Sequence, residues 1–436
     1  MKIRKLKEIQ LIFTDEGHTD EDPISGITNY GVYKDERAIR PCVLITRNGQ
    51  TQRDFRQFWD TFCQKESTAR NQPLFKGYNY KDYGFGEADI DPQFVEPRDE
   101  SFDSYETSLK KAVEKMRDED LNLLFVVIPE HFSDEQYYKL KTLCFNENQV
   151  SQFFKTSTFQ RKFPLVFWNL AISIYAKMEG IPWQLALRPP IEKESLDVDL
   201  FIGLCLVQRD ARSFVGVATV LNAFSEHIIT VSSKPIMYVG QQLHMEKDDI
   251  CNLIRECLRN VDFSVKSIVI HYATPFNKDE SDGVNEALAN IPEKTFVHLE
   301  TESLVRIYSL STTDNDASRG TALIMSDRNA ILCTTGRTRL LGTSAETEDE
   351  VEEQEGGFET SFKYKGIGTP KPVGVNKYGD LPIEKVCRQI LALTKLRWNT
   401  AEVNVRIPAT IEYSRRVGYL CKYGIPHIVK SIKYVL

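Results

Sequence analysis

The sequence predicts an α/β protein built as two successive units, and three observations carry that expectation. The chain has 436 residues, enough for two domains that each bury a core. Leu123-Leu124-Phe125-Val126-Val127-Ile128 is a continuous β-favouring run closed by Pro129, with helical periodicity on either side. That is the pattern of a buried parallel strand covered by helices. Beyond residue 182 the pattern changes to consecutive strand runs, then an amphipathic helix and another buried strand. The expected division is an N-terminal extension over 1–35, a three-layer α/β domain over 36–182 and a second domain over 183–436.

Each element has its own signal. Residues 1 to 35 read as short strands and turns. Pro41-Cys42-Val43-Leu44-Ile45 is a strand that ends in the turn signal Asn48-Gly49. Gln57 to Phe62 reads as helix, and the Gly, Asp, Pro and Tyr-rich stretch from Phe75 to Ser101 as loop or extended chain. Leu109, Ala112, Val113 and Met116 recur at helical spacing within Ser104–Met116. Helices follow over Asp134–Leu143 and Leu165–Met178, the second ended by Gly180. In the second domain, Leu200–Val207 and Phe214–Leu221 read as a hairpin and His227–Ser233 as a third strand. Ile250, Leu253, Ile254 and Leu258 share one face of a helix over Lys247–Arg259. Lys266–Tyr272 is a buried strand and Ile383–Leu396 an amphipathic helix. Three strands, a helix, a strand and later helices follow the order of an RNase H-like domain. There are no internal repeats.

Composition narrows the function classes. Hydrophobic residues at 41% and charged residues at 27% are ordinary for a globular protein. No apolar run reaches membrane-span length, and Met1-Lys2-Ile3-Arg4-Lys5-Leu6-Lys7 lacks the apolar segment of a signal peptide. Nine cysteines are scattered singly, which favours free thiols in a reducing cytoplasm over disulfides or zinc. A net charge of −7 argues against nucleic-acid binding only if charge is evenly spread, and it is not. Residues 346–355 hold seven acids and no base, ahead of Gly356-Gly357, and read as a mobile loop. Arg397 to Lys433 carries many bases and two acids, enough for a local phosphate-binding groove.

One stretch carries chemistry. Tyr137 and Lys141 are four residues apart and so share a helix face, on a helix that starts at the carboxyl end of a buried strand. A helix start favours anions, a tyrosine can donate to a phosphate or stack on a base, and a lysine adds a point charge. Lys177, in the last turn of another helix before Gly180-Ile181-Pro182-Trp183, could converge on the same anion, with Gln152 between them.

The segment from Pro129 to Trp183 resembles the MID domain of Argonaute proteins, particularly the short prokaryotic and archaeal form made only of MID and PIWI domains. Further matches run along the chain. Ser195–Gly203 resembles the opening PIWI strand, Gly368-Thr369-Pro370-Lys371-Pro372 a late G-T-P-x-P segment, and Leu393–Asn399 an L-T-x-x-x-W-N helix. The resemblance implies a Rossmann-like MID domain followed by an RNase H-like PIWI domain. It assigns Tyr137, Lys141, Gln152 and Lys177 to the 5′ phosphate of a guide. It also implies that the terminal carboxylate of Leu436 ligates Mg²⁺ or Mn²⁺ shared with the guide phosphates.

The same resemblance places the nuclease acids of PIWI, and here they are missing. The first position falls on Cys205, the second within the carboxylate-free Ile268–Thr274, and the last in Tyr413-Ser414-Arg415-Arg416. No shift onto Asp197, Asp199 or Asp210 restores the set, and His271 reads as a core histidine. The expectation is a domain without catalytic residues, with Arg415 and Arg416 free to contact a duplex backbone. The implied partners are guide RNA or DNA, target DNA and an APAZ-containing effector of nuclease, TIR or sirtuin type, with no membrane. The alternative is an active guided endonuclease with atypically placed ligands.

Overall fold

The computed structural model describes residues 1–14, 17–34, 37–46, 48–64, 75–160, 164–186, 196, 198–224, 226–237, 243–302, 305–308, 317–336 and 370–436. The acidic run at 346–355, and Ser195, Asp197, Gly368 and Thr369, lie outside these residues.

The N-terminal stretch contributes to two sheets. Strand β1 (Lys2–Lys5) pairs with Thr321–Ile324 far along the chain, while β2 (Leu11–Phe13) and β3 (His18–Asp20) form a small sheet of their own. Helix α1 (Pro23–Tyr30) starts on an Asp22 cap with proline in its first turn.

Next comes a sheet of four parallel strands. In chain order the elements are β4 (Pro41–Leu44), α2 (Gly49–Gln64), β5 (Gln93–Val95), α3 (Phe102–Asp118), β6 (Leu123–Ile128), α4 (Asp134–Asn146), β7 (Ser151–Lys155) and α5 (Pro164–Lys177). Strand order is β5-β4-β6-β7, all parallel, which makes β7 an edge. Alternation along β6 explains the three layers. Leu124, Val126 and Ile128 pack with Leu109, Ala112, Val113 and Leu140 of α3 and α4. Leu123, Phe125 and Val127 face the other side, with Phe55, Phe58, Trp59 and Phe62 of α2. Those four aromatics recur at helical spacing, so α2 is longer than the Gln57–Phe62 read from sequence. Strand β8 (Gln184–Leu185) leaves this unit and joins β2.

The remainder builds an eleven-stranded sheet. Strands β9 (Leu200–Gln208), β10 (Ser213–Asn222) and β11 (His227–Ser232) are antiparallel, with the short β12 (Ile236–Met237) on β10. After α6 (Lys247–Arg259) come β13 (Ser267–Tyr272), α7 (Lys278–Ala287) and β14 (Glu293–Glu300). Strands β9, β13 and β14 run parallel. Then β15 (Thr321–Ile324), β16 (Asn329–Leu332) and β17 (Val373–Tyr378) extend the sheet to β1. Helices α8 (Ile383–Leu393) and α9 (Ala409–Cys421) and strand β18 (Ile428–Val429) complete it.

Leu200, Ile202 and Leu204 of β9 face α6 and α7, whereas Phe201, Cys205 and Val207 face the side of α9. Gly203 is required there, because a Cβ would sit 2.3 Å from the Thr410 carbonyl oxygen of α9. A buried ionic knot ties the N-terminal stretch to this sheet. The Glu8 carboxylate lies 2.9 Å from Arg319 Nε and 3.1 Å from Lys395 Nζ. The Lys395 carbonyl accepts from Trp183 Nε1 at 2.9 Å, so the G-x-P-W turn and the L-T-x-x-x-W-N segment meet directly.

Candidate nucleic-acid interface

Tyr137, Lys141, Gln152 and Lys177 come together along the edge strand β7. An edge strand leaves backbone groups unpaired, and here two lysines take up one of them. Lys141 Nζ donates to the Ser151 carbonyl at 2.9 Å and to Ser151 Oγ at 3.2 Å. Lys177 Nζ donates to the same carbonyl at 3.2 Å and also to Gln152 Oε1. Tyr137 packs edge-on against Phe153, and the Lys141 ammonium lies over the Phe153 ring at 5.6 Å.

Both lysines are buried, at 4% exposure for Lys141 and 2% for Lys177. Burial pulls Lys141 down to about 8, and burial with the neighbouring Lys141 and Arg416 charges pulls Lys177 well below its usual range. Burial also pushes the Tyr137 hydroxyl up to about 12. The side-chain charges acting on Lys177 are both positive. A buried charge is costly without a counter-ion, so this arrangement suits an incoming anion.

The position of the lysine cluster differs from the sequence expectation. The first turn of α4 is closed by a capping box between Ser133 and Gln136. Ser151 opens β7, at the amino ends of the parallel strands, so the lysines gather away from the helix start that sequence reasoning favoured. Sequence reasoning also missed the Ser151 carbonyl, because a backbone acceptor leaves no side-chain signal.

Arg415 and Arg416, adjacent in sequence, serve two places. Arg416 donates to Glu412 Oε1 at 3.0 Å and to the Val435 carbonyl at 3.3 Å, and its charge bears on Tyr137, Lys141 and Lys177. Tyr434 packs on Phe145 of α4, Lys433 pairs with Glu179 at 2.7 Å, and Leu436 is 6% exposed. The 432–436 stretch therefore lies on the lysine side. Arg415 instead lies beside the Cys205 thiol, which burial pushes up while Arg415 pulls the other way.

Around Cys205 the polar groups are mostly committed. His271 is fully buried, with Nδ1 3.0 Å from Thr410 Oγ1, and burial drops its pKa to about 3. Its Nε2 has no hydrogen-bond partner among the described residues. Ser414 Oγ donates to the Gly203 carbonyl at 2.7 Å. At the opposite end of β9 from Cys205, Asp199 Oδ2 accepts from the backbone of Lys266 at 2.7 Å and Ser267 at 2.9 Å. Asp210 Oδ1 accepts from the backbone of Arg212 and Ser213, both at 2.8 Å, and so closes the β9–β10 turn. Among the described residues no three His, Cys, Asp or Glu side chains form a metal-ligand group. No helix among them is long and apolar enough to cross a membrane.

Comparison with known proteins adds the fold. No family model matches the sequence. A protein argonaute of Aquifex aeolicus (strain VF5) is 41% identical over 65 residues, which is 15% of this chain and 9% of that protein. The structure of Clostridium butyricum Argonaute bound to a guide DNA (5′ deoxycytidine) and a 19-mer target DNA aligns with 100% of this chain and 55% of its own, at TM-score 0.72 and 18% identity. Aquifex Argonaute with externally bound siRNA aligns with 99% of this chain and 56% of its own, at TM-score 0.64 and 17% identity. The A. aeolicus Argonaute structure gives 0.62 and 18% over 99% of this chain and 55% of that one. The chain thus has the Argonaute fold throughout, as a Rossmann-like unit followed by an RNase H-like one, and spans little more than half the length of these proteins.

Proposed function

We propose that this chain is a guide-binding subunit that holds the 5′ phosphate of a guide between Lys141 and Lys177 and reads a complementary target by base pairing. The observation that carries this reading is the pair of buried ammonium groups on one carbonyl oxygen, with Gln152 alongside and Arg416 adding a third positive charge. Two charge-assisted donors from different helices match a terminal phosphate better than a single backbone phosphodiester. The guide is RNA in preference to DNA, and the target is DNA.

A divalent ion fits this pocket only together with the guide. The charged side chains around it are cationic, so Mg²⁺ or Mn²⁺ would need the phosphate oxygens as its ligands. When bound, the ion would neutralise phosphate charge at the guide end.

The second part of the proposal is that the chain does not cut. Cys205 and Arg415 stand where acids are expected, and Asp199 and Asp210 are engaged with backbone amides. Effector chemistry then belongs to an APAZ-containing partner of nuclease, TIR or sirtuin type, within a cytoplasmic defence system. The test is target capture by guide-loaded protein in Mg²⁺ and Mn²⁺. Complementary target should be retained intact and scrambled target lost, and a guide-positioned cleavage product would instead support the atypical endonuclease.

A further inference from the structure

The eleven-stranded sheet ends in β1, which pairs with β15 on one side and with no strand on the other among the described residues. Its register fixes which backbone groups stay open. Leu6 N–H donates to the Gly320 carbonyl, one step beyond the paired positions Lys5 and Thr321. Bonded and non-bonded pairs alternate along an antiparallel ladder, so Arg4 and Lys2 also bond to β15 and Ile3 points its N–H and carbonyl outward. Outward amides on an edge strand are a template for a further strand. Side chains alternate across the same strand. Ile3 lies opposite Leu323, and Met1 and Met325 continue that face. Ile3 is 70% exposed, Met1 and Met325 are exposed, Leu323 is partly buried, and none of the four joins a core cluster. Lys5 shares this face but is tied to Ser318 Oγ at 2.9 Å. Lys2 and Arg4 take the other face, where Arg4 pairs with Glu384 of α8 at 3.2 Å and Lys2 has no side-chain partner among the described residues.

We infer that β1 is a docking edge for an extended segment of a partner protein in which apolar and acidic residues alternate. Added beside β1, such a segment continues the sheet through the Ile3 N–H and carbonyl. Its apolar residues cover Ile3, Leu323 and Met325 on one face, and its acids meet Lys2 and Arg4 on the other. The alternation expected of the partner is thus the complement of the alternation in β1 itself. A second copy of this chain fits the edge poorly. The strand holds three bases and no acid, so two β1 strands side by side would set base against base. Nearly half of each aligned Argonaute has no counterpart in this chain, which leaves room for polypeptide outside it to extend the sheet. The inference makes no use of the guide-binding reading.

The test uses the full chain and two labelled peptides, one alternating valine with glutamate and one alternating valine with lysine. At low salt the valine–glutamate peptide should bind about tenfold more tightly or better than the valine–lysine peptide. Bound peptide should slow hydrogen exchange at the Ile3 amide. Ile3→Pro removes the outward N–H without touching the bonds to β15, and should weaken binding by about tenfold. Lys2→Glu changes only an exposed side chain and should cut the preference for the acidic peptide by about threefold or more. Absence of binding by either peptide, or equal binding of both, would overturn the docking edge. So would exchange protection away from β1, or affinity unchanged in both variants. Concentration-dependent dimers of the chain that Ile3→Pro abolishes would assign the edge to a second copy and overturn the partner reading.

Discussion

Lys141 and Lys177, on two different helices, donate to one acceptor, the Ser151 carbonyl oxygen, at 2.9 and 3.2 Å. Two like charges on one oxygen repel each other, and burial removes the water that would screen them. The arrangement is poor for an empty protein and good for one that holds an anion.

That cost should be measurable in stability. Lys141→Met and Lys177→Met keep most of the side-chain volume and remove the charge. Each should stabilise the unliganded protein by about 1 kcal/mol or more in denaturant unfolding, as replacing buried charge by apolar groups does. A loss of similar size would mean that the lysines serve the fold rather than a ligand.

Titration follows from the same burial. Lys141 moves from 10.5 to about 8, so between those values the unfolded chain holds a proton that the folded chain has released. Stability should therefore rise with pH across that window, and the cost of the charge is present in full below about pH 8. Anion binding favours the charged lysines, so preference for a 5′ phosphate should fall as pH rises past 8. Guide competition between neutral pH and pH 9.5 or so reads this directly, and K141M/K177M should show no such slope.

The Glu8 knot has the opposite sign. Burial opposes ionisation of Glu8, but Arg319 and Lys395 outweigh it and hold the carboxyl below 4.5. Its contribution is present above that value and lost as pH falls through the lower folded value. Glu8→Ala strands two buried cations and should cost about 3–5 kcal/mol in urea unfolding at neutral pH.

What the sequence revealed depended on range. Tyr137 and Lys141 were legible because a helix makes a four-residue spacing into a shared face. Strand β6 was legible because an unbroken apolar run closed by proline fits a strand buried on both faces. Helix α7 was missed because its buried face is only Glu280, Gly283 and Val284, too polar for an apolar stripe. Helix α9 was missed too, although it carries both arginines and covers β9. The split between Arg415 and Arg416 was also out of reach. Neighbours on a helix diverge by about 100°, and what each then met, Cys205 or Val435, is set by contacts distant in sequence.

Gly203 tests how closely α9 must approach the sheet. Gly203→Ala would press a methyl against the Thr410 backbone and should cost about 1–3 kcal/mol. Displacing α9 moves Arg415 and Arg416 together, so affinity for guide and for target should both fall in binding assays. A change in target affinity alone would show that the helix adjusts locally.

The most direct measurement is competition between 5′-phosphorylated and 5′-hydroxyl forms of one guide, for wild-type protein and for K141M/K177M. Wild type should prefer the phosphorylated form by about a hundredfold, given about 1.5–3 kcal/mol for each hydrogen bond to a charged group. The double variant should lose that preference while it still binds both forms weakly. Equal binding of the two forms by wild type, or equal losses for both in the variant, would contradict a 5′-phosphate pocket.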